Sequence, residues 1–159
     1  MGRGILFVTT DQQRYDALGC NGGAIARTPV IDGLAAAGIR YERAHPQNVV
    51  CMPSRATMLT GQHVRNHGVW MNGVPLPEES PSIAAYLNER AGYRTGFVGK
   101  NLNEYTFDDP RPPGWDFFSP TGARTYSYYG TTFYNDGEPR GYGEKYVADV
   151  VRDETTRLI

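Results

Sequence analysis

The chain opens on an unbroken apolar run, Ile5-Leu6-Phe7-Val8, that gives way at Thr10 to the polar stretch Asp11-Gln12-Gln13-Arg14. Apolar and β-branched residues without polar alternation predict a strand over Ile5 to Thr9, buried on both faces in a parallel sheet. Helix punctuation follows: Thr28 as N-cap, Pro29 at the first helical position and Gly38 as the stop. Ile39 to Ala44 reads as a second strand. Val49 and Val50 end a further apolar stretch, and Ala56 to Leu59 are good helix formers. Cys51 is therefore expected at a helix N-terminus, with Pro53 at the first helical position. Glu79 to Asn88 is patterned as an amphipathic helix, capped by Ser80 with Pro81 first. Gly92 to Lys100 predicts a turn, a strand, and a lysine at the C-terminal end of that strand. The tail, Tyr142 to Ile159, reads as a helix that is still apolar where it stops.

Composition narrows this picture. A chain of 159 residues is long enough for one domain with a sizeable core. A net charge of −1, with no long charge run, argues against a nucleic-acid or anionic-membrane partner. Nineteen glycines, 11 prolines and 11 tyrosines fit a loop-rich α/β protein better than a helix bundle. The run at Ile5 is too short for a signal core or a membrane span, so the chain as written is expected to be cytoplasmic. A clipped N-terminus would hide an export signal. Cys20 and Cys51 permit one disulfide but no disulfide framework, and no Cys/His spacing suits structural zinc.

Four places invite a chemical reading. Asp11 follows a predicted strand, where ligands of open α/β sheets collect, although an acid there also serves as a turn or helix cap. Cys51 would sit where unpaired amides and the helix dipole favour negative charge, with Arg55 one turn further along the same face. A cysteine after two valines is otherwise an apolar filler. His63 and His67 are four apart, but their glycine-rich, polar surroundings predict a loop and argue against a metal pair. Lys100 alone would be a solvated charge at a strand end.

Taken together, the motifs resemble a known family. Cys51-Met52-Pro53-Ser54-Arg55, continued by Ala56-Thr57-Met58-Leu59-Thr60-Gly61, resembles the signature of the type I sulfatases. Gly92-Tyr93-Arg94-Thr95-Gly96-Phe97-Val98-Gly99-Lys100 is similar to their second signature, and His67-Gly68 to an Asn-His-Gly that follows the first. The resemblance implies an alkaline-phosphatase-like α/β sandwich with a mostly parallel sheet flanked by helices, of which residues 1–159 would be the N-terminal part of one catalytic domain. It implies that Cys51 is converted to formylglycine by a formylglycine-generating enzyme, its hydrated aldehyde being the nucleophile. Arg55 and Lys100 would act on the sulfuryl oxygens, with Lys100 and His67 facing the substrate. Asp11 would bind a divalent metal, Ca2+ ahead of Mg2+ or Mn2+, together with Gln12 and the modified Cys51. Gln12 departs from the commoner second aspartate and lowers the site charge by one.

Leu102 stands where the family commonly has a histidine two residues after the lysine. Asn103 is the candidate replacement. Gly99-Lys100-Asn101-Leu102-Asn103-Glu104-Tyr105 looks like the glucosamine-6-sulfatase branch, as do Pro113-Gly114-Trp115-Asp116, Tyr126-Ser127-Tyr128-Tyr129 and Asn135-Asp136-Gly137. Those tyrosines are expected to pack on strands rather than to stack on sugars. The expected activity is hydrolysis of sulfate esters, with a sulfated small molecule or glycan as substrate. A phosphonate monoester or phosphodiester hydrolase of the same superfamily, which Asp-Gln at the first strand suits, is the alternative. An inactive, truncated carbohydrate-binding fragment is the reading from another class.

Overall fold

The computed structural model describes residues 4–103, 109, 111–122 and 125–159. The chain divides into two compact units, Met1–His45 and Pro46–Ile159.

In the first unit, single 3-10 turns at Tyr15–Ala17 and Gly19–Asn21 precede helix α1, Pro29–Ala37. Pro29 opens α1, Gly38 closes it and Thr28 stands at the N-cap, as the punctuation predicts, but the Thr28 side chain makes no capping bond. Its hydroxyl instead accepts from the Gly19 N–H at 2.9 Å and donates to Asp32 at 3.0 Å. Asp32 also accepts from the Cys20 N–H at 2.7 Å, so one threonine and one aspartate bind the 3-10 turn to α1. The two expected strands are absent here. Ile5 to Val8 are non-regular and 65% to 75% exposed, and Ile39 to Ala44 are non-regular apart from a turn at 42–43, with Ile39 and Tyr41 exposed. A parallel strand has no hydrogen-bond partner within itself, and among the described residues no neighbouring strand pairs with either segment.

The second unit begins with helix α2, Cys51–Thr60, and the single helical turn α3, Val64–His67. Cys51 is the first residue of α2, as expected. Pro53 stands third rather than first, where its missing N–H is equally harmless because the first four amides lack intrahelical partners. Gly61 ends α2 at φ +69, a left-handed conformation that favours glycine. The helical turn at 64–67 corrects the expected loop.

Helix α4, Ile83–Ala91, starts later than the pattern suggests. Ser82, not Ser80, is the cap: its hydroxyl accepts from the Ala85 N–H at 3.3 Å and donates to the Pro113 carbonyl at 2.9 Å. Both serines could serve as caps, and Ser82 is the one whose hydroxyl also meets Pro113.

Strands β1, Gly96–Gly99, and β2, Phe117–Pro120, pair in parallel, with Phe97 opposite Phe118. Strands β3, Thr132–Asn135, and β4, Glu138–Gly141, form an antiparallel hairpin. Its two-residue loop, Asp136-Gly137, has φ +51 and +95, the twist that matches hairpin strands. Helix α5, Val147–Leu158, packs against β1. Glu154 on α5 is buried and paired with Arg157 at 2.5 Å and with Arg140 of β4 at 3.8 Å, which holds the helix to the hairpin. Phe118, Phe133 and Val150 are buried, with Phe97 and Trp115 edge to face at 5.4 Å. A separate cluster of Met52, Ala56 and Val69 takes Val74, Leu76 and Leu102 against it.

Tyr126, Tyr128 and Tyr129 lie on a loop and are more than half exposed, which corrects the expected strand packing. Tyr128 and Tyr129 instead rest on Tyr146 at 6.1 and 5.7 Å. Among the described residues, no helix is long and apolar enough to cross a membrane.

Candidate active site

Cys51 is half-buried at the start of α2, a free thiol like Cys20. The first turn of α2 turns its amides toward this position, which favours an anion there. Arg55, one turn on, does not hang free over the thiol. Its guanidinium donates to the Lys100 carbonyl at 2.6 Å and to that of Asn101 at 3.3 Å. The N-terminal end of α2 and the C-terminal end of β1 are thereby joined through one side chain. Lys100 leaves β1 with its ammonium 4.5 Å from the centre of the Tyr126 ring, a cation–π contact.

The residues after Lys100 explain the departure at position 102. Leu102 packs on the Met52, Ala56 and Val69 cluster, so this position serves the core, where a hydrocarbon is better suited than an imidazole. Asn103 is half-buried, and its Oδ1 is buried with no donor paired to it among the described residues. An acceptor left in this state is uncommon in a folded protein. Glu104 and Tyr105 lie outside the described residues.

His67 is only 2% exposed, and both ring nitrogens are engaged. Nδ1 accepts from the Val69 N–H at 3.1 Å. The Thr57 hydroxyl donates to the Pro53 carbonyl at 3.0 Å, so it must accept from His67 Nε2–H, 3.1 Å away. The ring is the neutral Nε2–H form and supports the site by bracing the middle of α2. It shows no open nitrogen for a substrate. His63 binds Gln47 at 2.7 Å on the surface, so the two histidines serve different partners.

Burial holds the His67 pKa below the usual histidine value. The unfolded chain therefore takes up a proton at a higher pH than the folded one does. The stability from the neutral ring is complete above about pH 6.5 and is lost as the pH falls from there through the lower folded value. Urea midpoints are expected to drop across this window. The drop should flatten in His67→Gln, whose amide can make both bonds without titrating.

Asp11 and Gln12 stand in the first unit, both exposed. Gln12 has φ +53, a left-handed conformation uncommon for a non-glycine residue. A carboxylate and an amide oxygen are suitable donors for a hard cation, which takes six to eight oxygens when it is Ca2+. Among the described residues, no group of three or more His, Cys, Asp or Glu could hold a metal. Asp11 and Gln12 thus match such an ion in kind but supply only part of a shell.

Asn72 is the residue that pattern reading missed. Its Nδ2 donates to Cys51 Sγ at 3.4 Å, while its Oδ1 accepts from the Met52 N–H at 3.0 Å. The available signal was the Asn72-Gly73 pair, a turn dipeptide. Nothing local connects that turn to a cysteine 21 positions earlier.

The family model described as Sulfatase matches residues 3–159. The chain belongs to the sulfatase family. This chain is 37% identical over 114 residues to the uncharacterized sulfatase YidJ of Escherichia coli, covering 70% of its own length and 23% of that protein. It is 32% identical over 130 residues to the N-acetylglucosamine-6-sulfatase of Homo sapiens, covering 73% and 23% respectively. A solved structure of BT4656 in complex with its substrate D-glucosamine-2-N,6-O-disulfate superimposes with a TM-score of 0.83 at 27% identity. That match covers 93% of this chain and 29% of the other. The chain spans about a quarter of the length of the curated relatives it matches. The neighbours carry the alkaline-phosphatase-like fold, so the parallel β1–β2 pair flanked by helices is part of that α/β architecture.

Proposed function

We propose that the full-length protein hydrolyses sulfate esters of sulfated sugars, with residue 51 as nucleophile after its conversion to formylglycine. The observation that carries this reading is the joining of α2 to the end of β1. Cys51 begins the helix, and Arg55 reaches across to the Lys100 carbonyl at 2.6 Å. The helix that begins at the nucleophile position is thus tied by Arg55 to the backbone of Lys100, whose ammonium faces Tyr126. A sulfate ester bears an anionic sulfuryl group, and charge moves onto the leaving oxygen as the S–O bond breaks. Helix amides, a guanidinium and an ammonium stabilise such charge. Conversion matters because a hydrated aldehyde offers an oxygen nucleophile whose second hydroxyl lets the bound sulfate leave, and a thiol offers none.

Asp11 and Gln12 would contribute oxygen ligands to a hard divalent cation, for which the family resemblance puts Ca2+ ahead of Mg2+ or Mn2+. When bound, such an ion would supply Lewis-acid polarisation to an oxygen it coordinates. A sugar substrate is supported by relatives named N-acetylglucosamine-6-sulfatases and by the disulfated glucosamine in the neighbouring structure. The proposed maturation partner is a formylglycine-generating enzyme.

The test is a mass measurement on the peptide containing residue 51, after co-expression with a maturating enzyme, followed by assay. Conversion to the aldehyde lowers the mass by about 18 Da and makes the site reactive to hydrazides, as an activated nucleophile requires. The matured protein should then release sulfate from 6-O-sulfated glucosamine faster than it cleaves an aryl phosphonate ester. The reverse preference would move the assignment to phosphonate hydrolysis. A thiol that never converts, or sugar binding without turnover by the converted protein, would overturn it.

A further inference from the structure

We infer that Asn72 is a positioning residue for the reactive atom at position 51; this rests on the function proposed above. The carboxamide makes two contacts in opposite senses. The Met52 N–H can only donate, so Oδ1 must be the atom facing it at 3.0 Å. The NH2 group is therefore the one turned to Cys51 Sγ, at 3.4 Å. One planar group reads both the second amide of α2 and the side chain of its first residue.

The turn that carries Asn72 is itself held firmly. Met71 to Val74 form a turn closed by the Val74 N–H on the Met71 carbonyl, with Gly73 at φ +86. A turn with positive φ at its third position calls for glycine there, which leaves Asn72 at the second position with its side chain outward. The Gly73 N–H also meets Met52 Sδ at 3.0 Å. Val69, before the turn, and Val74 and Leu76, after it, pack into the same cluster as Met52 and Ala56 of α2. The turn and the helix start therefore share one core, and the carboxamide is set against residue 51 before any substrate arrives. Asn72 itself remains exposed, on the open side of the helix terminus.

With formylglycine at position 51, Nδ2 would donate to an oxygen on the same Cβ that now carries sulfur. That bond selects one rotamer of the hydrated aldehyde and leaves its other hydroxyl directed to the substrate. A residue that merely caps α2 would use only its Oδ1. The two roles separate in Asn72→Asp, which keeps an acceptor for the Met52 N–H but replaces the donor with an anion.

The experiment compares Asn72→Asp and Asn72→Ala with wild type in the full-length protein, with rates normalised to formylglycine content. Both variants are expected to lose about 100-fold in kcat with KM within about 3-fold, while Asn72→Asp keeps the wild-type melting temperature. Full activity of Asn72→Asp beside an impaired Asn72→Ala would mean a cap and nothing more, and would overturn the inference. A second readout needs no turnover. In unconverted protein, alkylation of Cys51, followed by peptide mass and with Cys20 as internal reference, should slow about 10-fold in Asn72→Asp, because an anion replaces a donor beside the sulfur. Equal alkylation rates would overturn the contact even if sulfatase activity is present. A wild-type protein without sulfatase activity but with the slowed alkylation would refute the proposed function and keep Asn72 in its place.

Discussion

Cys51→Ala in the full-length protein is expected to lower sulfate-ester turnover by at least about 10,000-fold, the scale on which removal of a covalent nucleophile acts. The remainder of the site should survive the change. Arg55 still reaches the Lys100 and Asn101 carbonyls, and the amides of α2 still point at position 51. Alanine is the best helix former, so the first residue of α2 loses only the contact from Asn72. The melting temperature should therefore stay within about 3 °C of wild type, a shift worth about 1 kcal/mol in a domain of 150–250 residues. Loss of rate without loss of fold is the signature of a nucleophile. A Cys51→Ala protein within 10-fold of wild-type turnover would show that residue 51 does not attack the sulfate.

The largest effect on stability is expected at Gly114, far from the thiol in sequence. This glycine has φ +87, and a Cβ built on it would fall 2.0 Å from the Ala85 nitrogen and 2.2 Å from the Ala85 Cα. Both are backbone atoms at the start of α4, so no rotamer change can relieve the collision. The turn is also bonded on both sides. Pro113 accepts from the Ser82 hydroxyl that caps α4, and Gly114 accepts from the Thr95 hydroxyl just before β1. Moving the turn away would thus disturb the helix cap and the approach to the strand that leads to Lys100. Gly114→Ala is expected to cost on the order of 3–5 kcal/mol, a large share of a typical domain's stability. Gly137→Ala is the control. It has φ +95 in the hairpin loop but open space around it, so only the conformational penalty of about 1–2 kcal/mol applies. Denaturant midpoints for the two variants decide the matter. Equal losses would mean that the close approach to α4 contributes nothing.

What was readable from residue order follows physical range. Helix α1, with Pro29 at its start and Gly38 after its end, is specified by neighbours within a turn or two, because helical hydrogen bonds and stop signals are local. The same holds for α2 beginning at Cys51, and for the strand ending beside Lys100. The motifs that mark the family lie in those local stretches, so the resemblance could be stated on sequence alone. Where two caps competed, local reasoning chose Ser80. The contact of Ser82 with Pro113, 31 positions away, was decided by packing.

The sequence by itself determined where helices α1, α2 and α5 lie to within a few residues, which residue heads α2, and which chemistry the Cys51, Arg55 and Lys100 motifs offer. Tertiary structure alone decided how those groups are held. It placed Arg55 on carbonyls 45 and 46 positions later, sealed His67 between Thr57 and Val69, turned Leu102 into the core, and brought Asn72 to Cys51. It also left Ile5 to Val8 exposed, although their apolar run reads as a buried strand. The reason is the same in each case. A helix carries its hydrogen-bond partners within its own sequence, whereas a strand, a buried imidazole or a bridging carboxamide takes its partners from residues that only the folded chain brings near.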